Sequence, residues 1–407
     1  MHVAVLGAGI AGVTTAYALA IRGCEVSVIE RAHTIAAGAS HANGGQLSYS
    51  FTDSLAKPSF IPTLPRLLAG RDPGSRVRFP PDAALMGWGL AFLRQCTSAR
   101  SRDNTIALLK LALRSAVALE ETVCRSGVHF AHRKCGKLVL LPAGADLAAA
   151  RQLRDLKKRH GCDTEILTPR EARAVEPALA GFPDRYAAAI HAAGDDVGDA
   201  RLFAENLGRW LAATHGVRFR LGETVQALSL KHGRVRGART DRDIVAADAT
   251  VVCLGAWSVP LLRQARIRAA IYPVRGYSLT LPRGHAAPSV SVTDLRRRLL
   301  YCPLDGRMRI SGYADFVGLE SSCDGARLAD LLVMARNTAP DAADYTVDAS
   351  HPWAGARPMT PDGRPLTGNT PRPGLFVNCG HGMLGWTLAS ATAEDTAEAV
   401  IRAAPSR

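Results

Sequence analysis

The apolar and polar positions of the first thirty residues alternate between two periods. Residues 2–6 form a short β-branched and apolar run, and Gly7, Gly9 and Gly12 break it. Residues 13–22 carry helical spacing, Gly23 caps them, and residues 25–29 form a second buried strand. Strand, glycine turn, helix and strand in that order predict one parallel β-α-β unit. From residue 57 to 81 the chain becomes rich in Pro, Gly and Ser, an excursion out of that unit. Helical spacing returns at 83–94, 104–125 and 146–160, with strands expected at 128–132 and 137–141. A helix over 199–215 precedes strands at 217–220, 224–231, 235–240 and 249–253. A meander occupies about 270–318, followed by a helix over 326–337, a buried strand over 375–378 and a last helix over 386–402.

This pattern predicts an α/β fold. A discontinuous Rossmann-like nucleotide-binding domain is expected from residues 1–56, 185–260 and 346–407. An inserted α+β substrate-binding domain on a mixed or antiparallel sheet is expected from 57–184 and 261–345. A length of 407 residues suits two domains, and 47% apolar with 21% charged residues is a globular balance. The apolar run at 83–93 is about half of what a bilayer span needs. A strand starting at His2 leaves no room for a signal peptide, so a cytoplasmic location is expected.

The formal net charge is +14. Most of the excess is Arg spread along the chain, without the aromatic-interleaved motifs of nucleic-acid binders, so no nucleic-acid partner is expected. The densest cluster, Arg151, Arg154, Lys157, Lys158 and Arg159, reads as the solvated face of an amphipathic helix. Nine cysteines without a C-x-x-C pair or metal spacing read as reduced thiols, with no metal site.

Three glycine-rich segments carry the chemistry. Gly7-Ala8-Gly9-Ile10-Ala11-Gly12 follows a strand, Val5 included, and opens a helix, while Glu30 and Arg31 close the next strand. Gly7 permits a tight turn, Gly9 lets backbone approach a pyrophosphate, and Gly12 lets helix and strand pack closely. The helix start offers N–H groups and a partial positive charge to phosphates, and Glu30 can accept ribose hydroxyls. The second segment supplies Ser40, Ala42, Asn43, Gly44, Gly45 and Gln46 where a flavin ring would extend. The third, Gly380 to Thr387, contains Gly382, Met383, Leu384, Gly385, Trp386 and Thr387. A second glycine-rich helix start suits the N1–C2=O edge of a flavin, which favours FAD over NAD. Arg357, extended before Pro358, offers a planar fork for a carboxylate.

The most specific stretches are Tyr272-Pro273-Val274-Arg275-Gly276-Tyr277-Ser278-Leu279-Thr280, residues 357–365, residues 380–387 and Gly198-Asp199. On these the chain resembles the D-amino-acid oxidase family of flavoenzymes, its dehydrogenase branch most closely, over nearly the full length. The resemblance implies non-covalent FAD across the β-α-β unit, the second glycine segment, a strand end with Gly255 and Trp257, and the last helix. It also implies an adenine contact from the backbone of Val225, a substrate carboxylate on Arg357, and Tyr277 and Tyr301 in the pocket. His41 lies near a position that carries covalent flavin in some relatives, but the local pattern follows the non-covalent branch. The implied reaction is hydride transfer from a D-amino acid to flavin N5, giving a 2-oxo acid and ammonia, with no indispensable acid or base. Electrons would pass to a quinone or other respiratory acceptor. That implies peripheral contact with the inner face of the cell membrane, through residues 83–93 or 146–160. Two alternatives stay open: an oxidase of glycine, sarcosine or a cyclic imino acid, and a flavin subunit of a multi-subunit amine dehydrogenase.

Overall fold

The computed structural model describes residues 1–182, 186–319, 324–347 and 352–403. The first strand, β1 (His2–Leu6), lies inside a six-stranded sheet, between β2 (Glu25–Glu30) and the strand Ala249–Val252. Leu375–Cys379 and then Leu366–Asn369 extend one side, and Arg218–Leu221 the other. All neighbours are parallel except Leu366–Asn369, which runs antiparallel to Leu375–Cys379. Parallel strands covered on both faces read as continuous apolar runs, and β1 is buried from Val3 to Leu6.

On one face lie α1 (Ile10–Ala20) and the helices Ala200–His215 and Gly385–Arg402, joined in one apolar cluster with the sheet. On the other lie the helix Ser258–Gln264 and a three-stranded antiparallel sheet of Val225–Lys231, Arg234–Thr240 and Ile244–Ala246. The α1 helix starts at Ile10, three residues before its apolar spacing suggested. Nearly all of it is buried, so it has no polar stripe to mark an end.

The second sheet has eight strands. Their order is Trp353–Met359, Tyr272–Pro282, Arg307–Asp315, Leu299–Leu304, Ser291–Asp294, Lys137–Pro142, Tyr186–Ala192 and Glu165–Leu167. Every pairing is antiparallel except that of Ser291–Asp294 with Lys137–Pro142. One face packs on the helix Gly325–Thr338 through Leu328, Leu331 and Ala335. The other face carries Ser278, Arg309 and Ser311 beside Leu300 and Cys302 and meets the second glycine segment.

Two strands change the expected division of the chain. Tyr186–Ala192 and Trp353–Met359, assigned from sequence to the nucleotide domain, pair in the eight-stranded sheet. We propose domain limits that follow sheet membership; the boundary expected between 184 and 185 lies outside the described residues. The strand expected at 128–132 does not form. Phe130 instead turns into the aromatic cluster with Phe203 and Trp386, and pairing is limited to the bridge Arg133–Val197. In the helix Leu147–Lys158, Lys157 is buried rather than solvated.

Candidate active site

Four parallel strands bring their C-terminal ends to one edge of the six-stranded sheet. There sit the Gly7 turn after β1, Glu30 closing β2, Gly255 beyond Ala249–Val252, and Gly380–Gly382 beyond Leu375–Cys379. Ligands of doubly wound sheets bind at such an edge. Gly7 has φ +103°, and a Cβ there would lie 2.7 Å from the Cys253 carbonyl oxygen. A Cβ on Gly12 would fall 1.9 Å from the Gly7 carbonyl oxygen, so only glycine lets α1 approach the turn. Gly9 is the N-cap of α1, without a side-chain cap, and the first turn holds no acidic residue. The Ile10 N–H donates to Ser40 Oγ at 3.0 Å, tying the second glycine segment to the helix start. Glu30 Oε2 and Oε1 accept from the backbone N–H groups of Ala8 and Ala32, each at 2.9 Å. An open helix start beside a backbone-anchored carboxylate fits a dinucleotide's pyrophosphate and ribose.

Other expected cofactor residues occupy the same edge in different ways. The Arg31 guanidinium lies 4.3 Å from the centroid of the Trp257 ring. Val5 is fully buried in β1 and Ala11 lies in the first turn of α1. Val225 opens its strand beside the second core of this unit.

The second glycine segment is pinned to the face of the eight-stranded sheet opposite the helix Gly325–Thr338. Ser278 Oγ donates to Ala42 O at 2.6 Å, Arg309 Nη1 to Asn43 O at 3.3 Å, and Gly45 N–H to Asn43 Oδ1 at 3.1 Å. A Cβ on Gly44 would meet Ser311 Oγ at 3.3 Å, and one on Gly45 would meet Cys302 Sγ at 2.9 Å. Gln46 pairs with Val197, and the Ser48 N–H donates to Thr387 Oγ1 at 3.0 Å. The loop therefore reaches the start of the last helix. That helix is entered through the turn Gly382–Leu384, with Gly382 at φ +58° and Met383 exposed, and no side chain caps Gly385. The Trp386 ring is buried, its Nε1 donating to Gly198 O at 3.0 Å.

Arg357 projects from the edge strand Trp353–Met359 of the eight-stranded sheet. Nη1 donates to Tyr313 O at 2.7 Å, and no described carboxylate pairs with it. Burial lowers its pKa to about 10, against the pull of Asp315, so it stays charged at neutral pH. Asp315 is committed to Arg327 at 2.6 and 3.0 Å. Gly276 opposes Gly355 across the pair of strands, and a Cβ on Gly276 would lie 2.2 Å from Arg357 Nη2. The guanidinium thus occupies space that any side chain at 276 would take.

The two expected pocket tyrosines do not join it. Gly276 shares the face of Arg357, so strand alternation sends Tyr277 to the opposite face. There its ring lies edge-on to Tyr313 at 6.1 Å and its hydroxyl bonds to Asp315. Tyr301 is fully buried in the same core and donates to Ala335 O at 2.9 Å. Both are packing residues in this structure. Sequence reasoning missed Arg309, a buried cation bonded to Thr280 Oγ1, Asn43 O and Asp199 Oδ2. Asp199 in turn caps the helix Ala200–His215 through the N–H groups of Arg201 and Leu202. Missed too was the pair of buried lysines, Lys137 and Lys157. His381, between the last glycines, is buried, bonded to Thr392 Oγ1 at 2.9 Å, and lowered by burial to about 4, hence neutral.

The sequence profile of the DAO family, described as FAD dependent oxidoreductase, matches residues 2–399. The chain is a member of this FAD-dependent oxidoreductase family. FAD is accordingly its cofactor. D-amino acid dehydrogenase 2 of Ralstonia nicotianae is 38% identical, covering 100% of this chain and 97% of the relative. A D-amino acid dehydrogenase of Neisseria meningitidis is 37% identical, covering 98% and 96%. Two solved structures share the fold. Glycine oxidase from Geobacillus kaustophilus has TM-score 0.74 at 24% identity, covering 98% of this chain and 94% of that one. L-proline dehydrogenase from P. horikoshii has TM-score 0.76 at 18% identity, covering 98% and 93%.

Proposed function

We propose that this family member is a dehydrogenase of D-amino acids. Arg357 carries the reading: a charged fork, unpaired with any described acid, projects beside the turns that would hold the flavin. A carboxylate would complete two charge-assisted hydrogen bonds there and relieve an otherwise uncompensated charge. FAD, when bound, supplies the hydride acceptor, and the resulting imino acid hydrolyses to a 2-oxo acid and ammonia. The chain's own part is to orient the substrate and exclude water. His381 is neutral and engaged with Thr392, so it is a poor base. The full-length relatives named D-amino acid dehydrogenase support the D series. The deciding experiment is an anaerobic screen of D- and L-amino acids, glycine and proline analogues, following loss of flavin absorbance. Bleaching by glycine or an imino acid alone sinks the reading, and substrate-dependent hydrogen peroxide in air would make the protein an oxidase.

The acceptor we propose is a lipid-borne quinone, reached by docking at the inner face of the cell membrane. The helix Ala83–Gln95 packs Trp88 and Phe92 inward, with Trp88 Nε1 donating to Met359 O at 2.8 Å, two residues from Arg357. Outward it shows Met86 and Leu90, 58% and 59% exposed, and nearby Phe79 is 86% exposed. Lys57, Arg66, Arg71, Arg78 and Arg94 lie in the same stretch of sequence, where the acids are Asp72 and Asp82. Both are occupied: Asp72 pairs with Arg298 at 2.9 Å, and Asp82 caps the helix. No helix among the described residues is long and apolar enough to cross a membrane. Surface cations add about 1 kcal/mol each on anionic lipid, falling with salt. The protein should therefore sediment with anionic vesicles at low salt, and Met86→Glu with Leu90→Glu should release it. Equal binding to neutral vesicles, or none, removes this contact.

A further inference from the structure

A buried ammonium stands behind the cofactor loop with no role in the chemistry above. Lys137 opens its strand and is only 3% exposed. Its Nζ donates to Gln46 Oε1 at 2.9 Å and Ser48 Oγ at 2.8 Å, and lies 4.7 Å from the Phe51 ring centroid. These acceptors are neutral. Two carboxylates lie near Lys137 without hydrogen-bonding to it. Asp53 pairs with Lys157, which also donates to Ser50 O at 3.0 Å. Asp195 accepts from Ser50 N–H at 2.9 Å through Oδ1, while its Oδ2 is buried without a hydrogen bond. An ammonium whose hydrogen bonds go to neutral groups is costly to bury, and the nearby Asp195 and Asp53 carboxylates only partly offset that cost.

The position of its partners suggests what this cation does. Gln46 Nε2 donates onward to Ser291 Oγ and to Thr293 Oγ1, fixing the loop on the sheet. Ser48 donates its N–H to Thr387 Oγ1, in the first turn of the last helix. One side chain thus holds both segments that converge on the ring end of the site. We propose that Lys137 is a positioning residue for the flavin, fixing the loop through Gln46 and Ser48 and lending positive charge that favours the reduced cofactor. The inference rests on residues 40–48 and 382–387 cradling the ring.

Negative charge on reduced FAD held in this cradle would raise the affinity of Lys137 for protons. Burial brings Lys137 down to about 8, opposed by Asp195 and Asp53 and aided by Lys157. The facing Cys302 thiol and the Tyr49 hydroxyl are held neutral by burial. Above about pH 8 Lys137 would therefore take up one proton from solvent as bound FAD is reduced.

Dye-equilibrated redox titration of the holoprotein across this range is the test. The midpoint potential should fall more steeply with pH above about 8, by up to an extra ~30 mV per unit for two electrons. Lys137→Met should lose the steepening and disfavour the reduced form about tenfold, ~30 mV, at neutral pH. Lys137→Arg keeps the charge, so it should hold the wild-type potential at neutral pH yet also lose the steepening. Flavin bound with an unchanged slope in the wild type overturns the role of Lys137, whether or not the variants fold. Failure of the FAD-supplemented protein to bind flavin overturns the cradle and the role of Lys137 together.

Discussion

Arg357→Met lowers kcat/KM for D-amino acids by about 10³, a loss of about 4 kcal/mol, while the flavin stays bound and the fold is unharmed. The magnitude follows from losing two charge-assisted bonds to a carboxylate that must leave water to enter the site. Stability should not follow activity, because the guanidinium is held in a desolvated position with Tyr313 O as its one hydrogen-bond partner among the described residues. The melting temperature is therefore expected within about 2 °C of wild type. Gly276→Ala approaches the same group from the other side. Its methyl would stand 2.2 Å from Nη2, and the guanidinium is the part able to move. Displacement rather than deletion should cost about 2 kcal/mol, mostly in KM, since the charge remains. Steady-state kinetics with a dye acceptor, alongside melting curves, checks both. A large fall in melting temperature for Arg357→Met, with activity lost in proportion, would make Arg357 a structural residue and sink the assignment.

The β-α-β unit and its glycine turn were legible in the sequence because their determinants are local. A strand, a turn that only Gly7 can make, a helix start and an acid at the next strand end lie within thirty residues, and each is needed where it stands. The active-site strand was not legible. Trp353–Met359 reads Trp-Ala-Gly-Ala-Arg-Pro-Met, poor in β-formers and broken by a glycine and a proline. A Cβ on Gly355 would sit 2.0 Å from the ring of Trp353, two residues earlier, which folds back over the strand. The tyrosine assignments failed for a related reason. Tyr277 lies one residue from the face that carries Arg357, and one step in a strand is a change of face. Lys157 read as solvated because helical spacing shows only which residues share a stripe. It does not show that a distant loop, here residues 50–53, covers one of them.

Gly12→Ala and Gly9→Ala should separate two jobs that the glycine fingerprint combines. At Gly12 the added methyl would fall 1.9 Å from the Gly7 carbonyl oxygen and 2.9 Å from its carbon, both backbone. Neither can rotate away, so α1 must lift from the turn. Overpacking of this kind costs about 3 kcal/mol in the fold, and it also moves the N–H groups that would face the phosphates. Gly12→Ala is accordingly expected to be purified poor in flavin, with FAD affinity reduced at least about 100-fold and the apoprotein melting lower. At Gly9 the methyl would meet only Ser40 Oγ, at an ordinary 3.5 Å. Its apoprotein should therefore melt like wild type, and the loss should appear in FAD affinity alone, where backbone must approach the pyrophosphate. FAD titration by fluorescence quenching, with melting of both apoproteins, decides the matter. Full FAD affinity in Gly9→Ala would mean that the pyrophosphate does not lie against this turn, and the cofactor edge would have to be redrawn around the later glycine segments.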